Sequence, residues 1–190
     1  MVKRIAFAML TVAAVARAET RPAFTAMPGG VVAMSLSPSL LQEQAIRKQL
    51  ASGLTTVVVI IARESGTKAA AGARFEIRYD LWDEVWIVQK TEFDLRKERR
   101  RLASFDALLQ WWHNPTRIFS STASRATLTI ELRVLPFSAA EEEDAREWLS
   151  KSGGIASPAA AGSFVQTLIA TTITARPITT YRWNVDLMLK

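Results

Sequence analysis

The stretch of residues 72–90 constrains the fold of this chain more than any other part of its sequence. In its first half three apolar residues, Phe75, Ile77 and Tyr79, alternate with charged ones. A period of two is typical of a β-strand with one buried and one solvated face. Polar residues at 80–84 then separate this run from a second apolar run at 85–88. The pattern predicts a β-hairpin around which the other elements are arranged.

The second arm of the hairpin is apolar on both of its faces, because residues 85–88 are Val-Trp-Ile-Val. A central strand buried on both sides has this composition, and so does a strand with one face in a partner interface. We expect the central strand, with the interface as the alternative.

Strand and helix patterns occur along the rest of the chain without regular β-α-β alternation. Further strands are predicted at 31–36, 54–63, 126–135 and 180–189. Ser39 and Ser104 are placed to cap two helices, Gly53 to end the first, and a capping box at 138–141 to begin a third. We therefore predict one α+β domain over 31–190, with a mostly antiparallel sheet, curved or sandwich-like, and two or three covering helices.

The N-terminus has the three parts of a secretory signal peptide. Lys3 and Arg4 are followed by an uncharged run over 5–16 and by Ala16-Arg17-Ala18. The apolar run is shorter than the roughly 20 residues of a membrane span. We expect cleavage after Ala18, export to the periplasm or medium, and a flexible lead-in over 19–30 before the domain.

Two features of the mature chain bear on whether it is anchored to a membrane: its lack of cysteine and one long uncharged segment. The chain has no cysteine, which excludes disulfides and the cysteine of a bacterial lipoprotein. The uncharged segment 153–175 contains Pro158 and several threonines, so it is expected to be a linker followed by a helix at 164–173 rather than a membrane span. No transmembrane span is expected in the mature protein.

Charge and motif content exclude several functions. The net charge of +6 falls to +3 once Lys3, Arg4 and Arg17 are removed, since 21 basic residues then face 18 acidic ones, and this does not favour nucleic-acid binding. His113 is the only histidine, so a transition-metal centre or a Ser-His-Asp triad is not expected. No phosphate-binding loop or dinucleotide fingerprint is present, and no cofactor is expected.

Carboxylates supply the remaining enzymatic alternative. Asp80, Asp83 and Glu84 cluster at the predicted turn, and paired carboxylates can perform glycosidic acid/base chemistry. Turns also carry acids because these are solvated and accept local backbone hydrogen bonds. A hydrolase acting on an envelope polymer with carboxylates or serine is therefore the alternative function.

The densest charge feature is the basic run 96–101, which is close in sequence to two adjacent tryptophans. Adjacent helical residues point about 100° apart, so we expect one tryptophan to lie at an interface rather than in the core. The run is either a docking face for a partner protein or anionic envelope surface, or a solvated loop or strand edge kept soluble by charge. The candidate interaction face consists of Arg96, Lys97, Arg99, Arg100, Arg101, Trp111 and Trp112.

Four segments carry a resemblance to a known family. They are residues 39–53, the Phe-Glu-Ile-Arg-Tyr-Asp-Leu run at 75–81, the Ser-Phe-Asp-Ala-Leu run at 104–108, and residues 128–136. Together they resemble a family of exported bacterial proteins catalogued as a domain of unknown function. The resemblance implies an exported α+β protein and no particular activity. From the expected export, the absence of a catalytic constellation and the candidate interaction face, we expect a non-enzymatic exported protein that binds a partner protein or an anionic envelope surface.

Overall fold

The computed structural model describes residues 21–136 and 177–189. These ranges hold nine strands and three short helices, which confirms the α+β prediction. The helices are α1 (Ser39–Gln42), α2 (Gln44–Leu50) and α3 (Phe105–His113). The strands are β1 (Ala23–Met27), β2 (Val31–Ser35), β3 (Thr56–Glu64), β4 (Ala70–Asp80), β5 (Val85–Thr91), β6 (Lys97–Leu102), β7 (Thr116–Ser120), β8 (Arg125–Pro136) and β9 (Thr179–Met188).

The strands form two antiparallel sheets. The smaller has the order β1-β2-β7, and the larger has the order β6-β5-β4-β3-β8-β9. In the larger sheet β3 lies near the centre and pairs with both β4 and β8. The mostly antiparallel arrangement expected from the alternating segments is therefore confirmed.

The core lies on one face of the six-stranded sheet, here called the inner face. Strand pairing aligns Val58, Phe75 and Lys90 on this face, and Ile77 opposite Val88. Side chains of the small sheet and of all three helices complete the same apolar cluster. The opposite side of the large sheet is called the outer face below.

The predicted hairpin is present as β4 and β5, with Phe75 and Ile77 fully buried. The prediction that its second arm is buried on both faces is wrong, because Trp86 and Ile87 are only half-buried. β5 is the second strand from the sheet edge, so its faces are less covered. β3, near the sheet centre, is buried on both faces: residues 57–61 are at most 2% exposed.

The segment expected to be a flexible lead-in contains a strand. β1 pairs with β2 around a turn in which Gly29 and Gly30 have φ of 78° and 71°. A Cβ atom at Gly30 would lie 2.0 Å from the carbonyl oxygen of Ser121. The turn therefore requires glycine both for its left-handed backbone and for this close approach.

The first predicted helix is divided in two. Glu43 has an extended ψ of 136° between α1 and α2, and its carboxylate accepts a hydrogen bond from the Tyr181 hydroxyl. Ser39 begins α1 rather than capping it, and its backbone N–H donates to the Ser37 hydroxyl at 3.4 Å. The predicted cap at Ser104 is confirmed, since its hydroxyl accepts from the backbone N–H of Ala107 at 3.1 Å.

Several predictions lie outside the described residues. They are the signal peptide at 1–18, the helix beginning at 138–141, the linker in 153–175 and the helix at 164–173. In residues 21–136 and 177–189, no helix has the length and apolar character needed to cross a membrane.

Candidate interaction face

The basic run forms an edge strand. β6 pairs with β5 and stands at one end of the six-stranded order among the described strands. Lysine and arginine are common at sheet edges because they discourage uncontrolled strand pairing. Arg96 precedes the strand, and its guanidinium lies 3.3 Å from the Asp94 carboxylate.

The pleat of β6 divides the run between the two faces of the sheet. Lys97, Arg99 and Arg101 pair with residues 91, 89 and 87 and share the outer face with them. Glu98 and Arg100 point to the inner face, opposite Lys90 and Val88. The run is therefore not one cluster of cations, as its sequence suggested.

β4 contributes two further cations to the outer face. Arg74 lies in line with Lys97 across β5, and Arg78 lies in line with Arg101. Two strand spacings separate each pair, about 10 Å of backbone distance. The resulting basic face consists of Arg74, Arg78, Lys97, Arg99 and Arg101. The alternation of residues 74–79 predicted that Arg74 and Arg78 point to the solvated face. Only the strand register shows that they lie on the same face as the cations of β6.

Part of the basic face is already neutralised. Arg74 forms an ion pair with Glu76 at 2.9 Å, and Arg101 forms one with Asp83 at 2.5 Å. Among the described residues, Arg78, Lys97 and Arg99 form no ion pair. Exposed ion pairs contribute about 0–1 kcal/mol each, so an incoming anion can exchange with Asp83 at little cost.

A buried lysine, Lys90, contacts both the edge strand β6 and the tryptophan core. Lys90 is 5% exposed, lies 3.2 Å from the Glu98 carboxylate and sits 6.0 Å from the Trp111 ring centre. Partial burial raises the pKa of Glu98, but hydrogen bonds and charges from Lys90 and Arg100 outweigh it and lower that pKa below its ordinary value. Nothing local in the sequence indicated this pair, because Lys90 lies two residues beyond the apolar run 85–88 and its partner is in the next strand.

The hairpin tip next to Arg101 exposes two large apolar residues. Leu81 is 63% exposed and Trp82 is 95% exposed. The tip is ordered by Asp80, whose carboxylate accepts from the backbone N–H groups of Trp82 and Asp83, at 3.0 and 3.3 Å. These hydrogen bonds lower the pKa of Asp80. An ordered and exposed tryptophan is typical of an interface.

Two of the three turn carboxylates, those of Asp80 and Asp83, contact groups of the turn or of β6. Asp80 orders the turn, Asp83 pairs with Arg101, and Glu84 occupies the left-handed region with φ of 52°. This agrees with the account of turn acids as acceptors of backbone and side-chain donors.

Both adjacent tryptophans lie in the core, so the prediction that one of them would be at an interface is wrong. Trp111 is 5% exposed and Trp112 is fully buried, with its indole N–H donating to the Ser37 carbonyl at 3.0 Å. The Phe75 ring contacts both, with ring centres 5.8 and 5.0 Å away. The core surrounds enough of α3 to bury both Trp111 and Trp112, although adjacent helical side chains point about 100° apart.

His113 has a structural contact. Its Nδ1 lies 2.9 Å from the Leu36 carbonyl oxygen while the residue itself is exposed. In the part of the chain that the structure describes, no group of three or more histidine, cysteine, aspartate or glutamate residues is arranged to hold a metal ion.

Searches for similar proteins leave the family open. No protein-family model, no curated protein and no solved structure matches this chain. The resemblance to a family of exported bacterial proteins therefore stays a prediction.

Proposed function

We propose that this is an exported, non-enzymatic protein that binds an acidic partner protein of the cell envelope through its basic face. One observation carries the proposal: β4 and β6, the two strands that flank β5 in the sheet, direct five cations to the same face. Arg78, Lys97 and Arg99, which form no ion pair among the described residues, are available to an external carboxylate.

Two features favour an acidic protein over an anionic membrane as the partner. Arg100, 63% exposed at its side chain, is on the opposite face of β6 from Lys97 and Arg99, so a flat bilayer would contact only one set. The acids Glu76 and Asp83 are interspersed with the cations. A bilayer responds to the summed charge of a surface, whereas a protein can pair with single cations.

The direct test compares the protein with a charge variant carrying Lys97→Gln, Arg99→Gln and Arg101→Gln. Fluorescence anisotropy with labelled poly-L-glutamate measures binding. At roughly 0.5 kcal/mol per exposed pair, the three losses amount to about 1.5 kcal/mol, or roughly a tenfold weaker affinity. Binding should also weaken at about 1 M salt, where the Debye length is about 3 Å.

A matched variant controls for net charge. Lys48→Gln, Lys68→Gln and Arg125→Gln remove three exposed cations from α2, the β3–β4 turn and the start of β8. This control should keep its affinity for poly-L-glutamate within about twofold. Equal loss in both variants would show a non-specific charge effect and refute the basic face as the site. Stronger binding to phosphatidylglycerol vesicles than to poly-L-glutamate would favour the membrane as the partner.

Export is the second part of the proposal and has its own test. The basic start, the apolar run and the Ala-x-Ala sequence support cleavage after Ala18. N-terminal sequencing of the protein from the envelope or medium should begin at Glu19. Recovery of the intact N-terminus from the cytosol would contradict export.

A further inference from the structure

The backbone of β6 presents an ordered set of hydrogen-bonding groups to the side on which β6 pairs with no other described strand. The Glu92 N–H donates to the Arg96 carbonyl at 2.9 Å, which makes residues 92 and 96 a hydrogen-bonded pair. In an antiparallel ladder such pairs recur at every second residue. Glu98 and Arg100 therefore direct their backbone groups towards β5, and the residues between and beside them direct theirs away from the sheet.

The residues with outward-directed backbone groups are Lys97, Arg99 and Arg101. Their side chains are the three that β6 contributes to the basic face. At every second residue, β6 thus offers a backbone donor, a backbone acceptor and a cation together. Strand addition uses such backbone groups for affinity and alternate side chains for specificity.

We propose that the acidic partner binds as an extended strand added to β6, with carboxylates at positions i, i+2 and i+4 opposite Lys97, Arg99 and Arg101. The inference rests on the function proposed above and specifies its ligand. Directly opposite residues in a hydrogen-bonded antiparallel pair have Cα atoms about 5.5 Å apart. Each carboxylate can therefore reach the cation across from it while the backbones pair.

The side chains of β6 also select against other strands. A second copy of this chain pairing antiparallel through β6 would bring these cations opposite one another, which is destabilising. Contiguous acids gain less, because every second one would point to the inner face, where the cation Arg100 is already paired with Glu98 at 3.0 Å. The edge therefore favours acids at alternate positions.

The test uses a labelled seven-residue peptide in which threonine and glutamate alternate, and two backbone-methylated versions. Methylating the glutamate nitrogens removes the N–H groups that face β6. Methylating the threonine nitrogens removes only the N–H groups that point away from β6, and it leaves the glutamate charges in place. We expect the threonine-methylated peptide to bind within about twofold of the parent, and the glutamate-methylated peptide to bind at least tenfold more weakly.

Amide hydrogen exchange gives a second readout on the purified protein. Peptide binding should slow exchange at Lys97, Arg99 and Arg101, and leave Glu98 and Arg100 unchanged because β5 already protects them. The charge variant of β6 should lose peptide binding, whereas the matched variant at Lys48, Lys68 and Arg125 should keep it.

The possible failures are distinct. Equal affinity for both methylated peptides would refute strand addition and leave a purely electrostatic binding face. Binding of phosphatidylglycerol vesicles without any peptide binding would also refute it and favour a membrane partner. If neither peptide, poly-L-glutamate nor vesicles bind, the inference and the proposed function both fail.

Discussion

Breaking the ion pair between Lys90 and Glu98 tests how the basic edge is attached to the core. Lys90 has a side chain only 6% exposed, and Glu98 is 32% exposed. Removing one partner of a fully buried pair costs about 3–5 kcal/mol, and removing one partner of an exposed pair costs about 0–1 kcal/mol. Because water reaches Glu98 but scarcely reaches Lys90, we expect Glu98→Gln to cost about 2 kcal/mol.

Urea unfolding at pH 7 measures this cost. With a slope of about 2 kcal/mol per molar urea, the midpoint of Glu98→Gln should fall by about 1 M. The control is Asp83→Asn, which removes the carboxylate from the pair between Asp83 and Arg101, both more than half exposed, and should shift the midpoint by about 0.5 M or less. Lys90→Met combined with Glu98→Gln should recover most of the loss, because no unpaired charge then remains buried.

The pH dependence of the same variant gives an independent check. Since the pKa of Glu98 is lowered by folding, its contribution is present above its ordinary value of 4.5 and is lost as the pH falls through the lower folded-state value. The difference between the native protein and Glu98→Gln should therefore shrink below pH 4.5. Equal midpoints for Glu98→Gln and Asp83→Asn at pH 7 would refute the assignment of Lys90–Glu98 as the stronger pair.

Three further predictions concern the fold. Gly30→Ala should destabilise by more than Gly29→Ala, for which about 1 kcal/mol is expected, because only the Cβ at Gly30 meets a backbone oxygen; equal melting temperatures would contradict this. Trp112→Ala should cost about 3–5 kcal/mol in urea unfolding, whereas Trp82→Ala, at a residue 95% exposed, should cost about 0.5 kcal/mol or less. Burial and a hydrogen bond raise the pKa of Tyr181 to about 12, so stability should fall as the pH rises from about 10 towards 12; a Tyr181→Phe protein with the same pH profile would show that this tyrosine is not responsible.

Local alternation was sufficient to predict most of the large sheet. Residues 74–79 and 180–189 each keep a period of two because one face packs on the core and the other meets solvent, and both are strands with that alternation of burial. The Ser104 cap is equally local, since it needs only a hydroxyl three residues before the amide that it accepts from.

The parts that sequence reasoning missed depend on partners distant in the chain. β1 lies in a segment whose prolines and alanines predict a loose lead-in, and its stability comes from pairing with β2. Trp111 and Trp112 are both buried because the core surrounds α3 on more than one side. The helical repeat alone predicts a single buried side. The cations of the basic face lie in separate segments, and only the register across β5 brings Arg74 and Arg78 beside β6.

The order of strand pairing places the basic face in a part of the sheet that is local in the chain. β4, β5 and β6 form a meander whose paired residues are 5 to 17 positions apart. β3 and β8 pair residues 64 to 80 positions apart. Because distant pairings carry the larger loop-closure entropy and slow folding, the meander can assemble before β8 joins the sheet. The proposed binding face is thus encoded in one continuous segment, residues 70–102, about a quarter of the described chain, and sequence changes in β8 or β9 would act on folding before they act on this face.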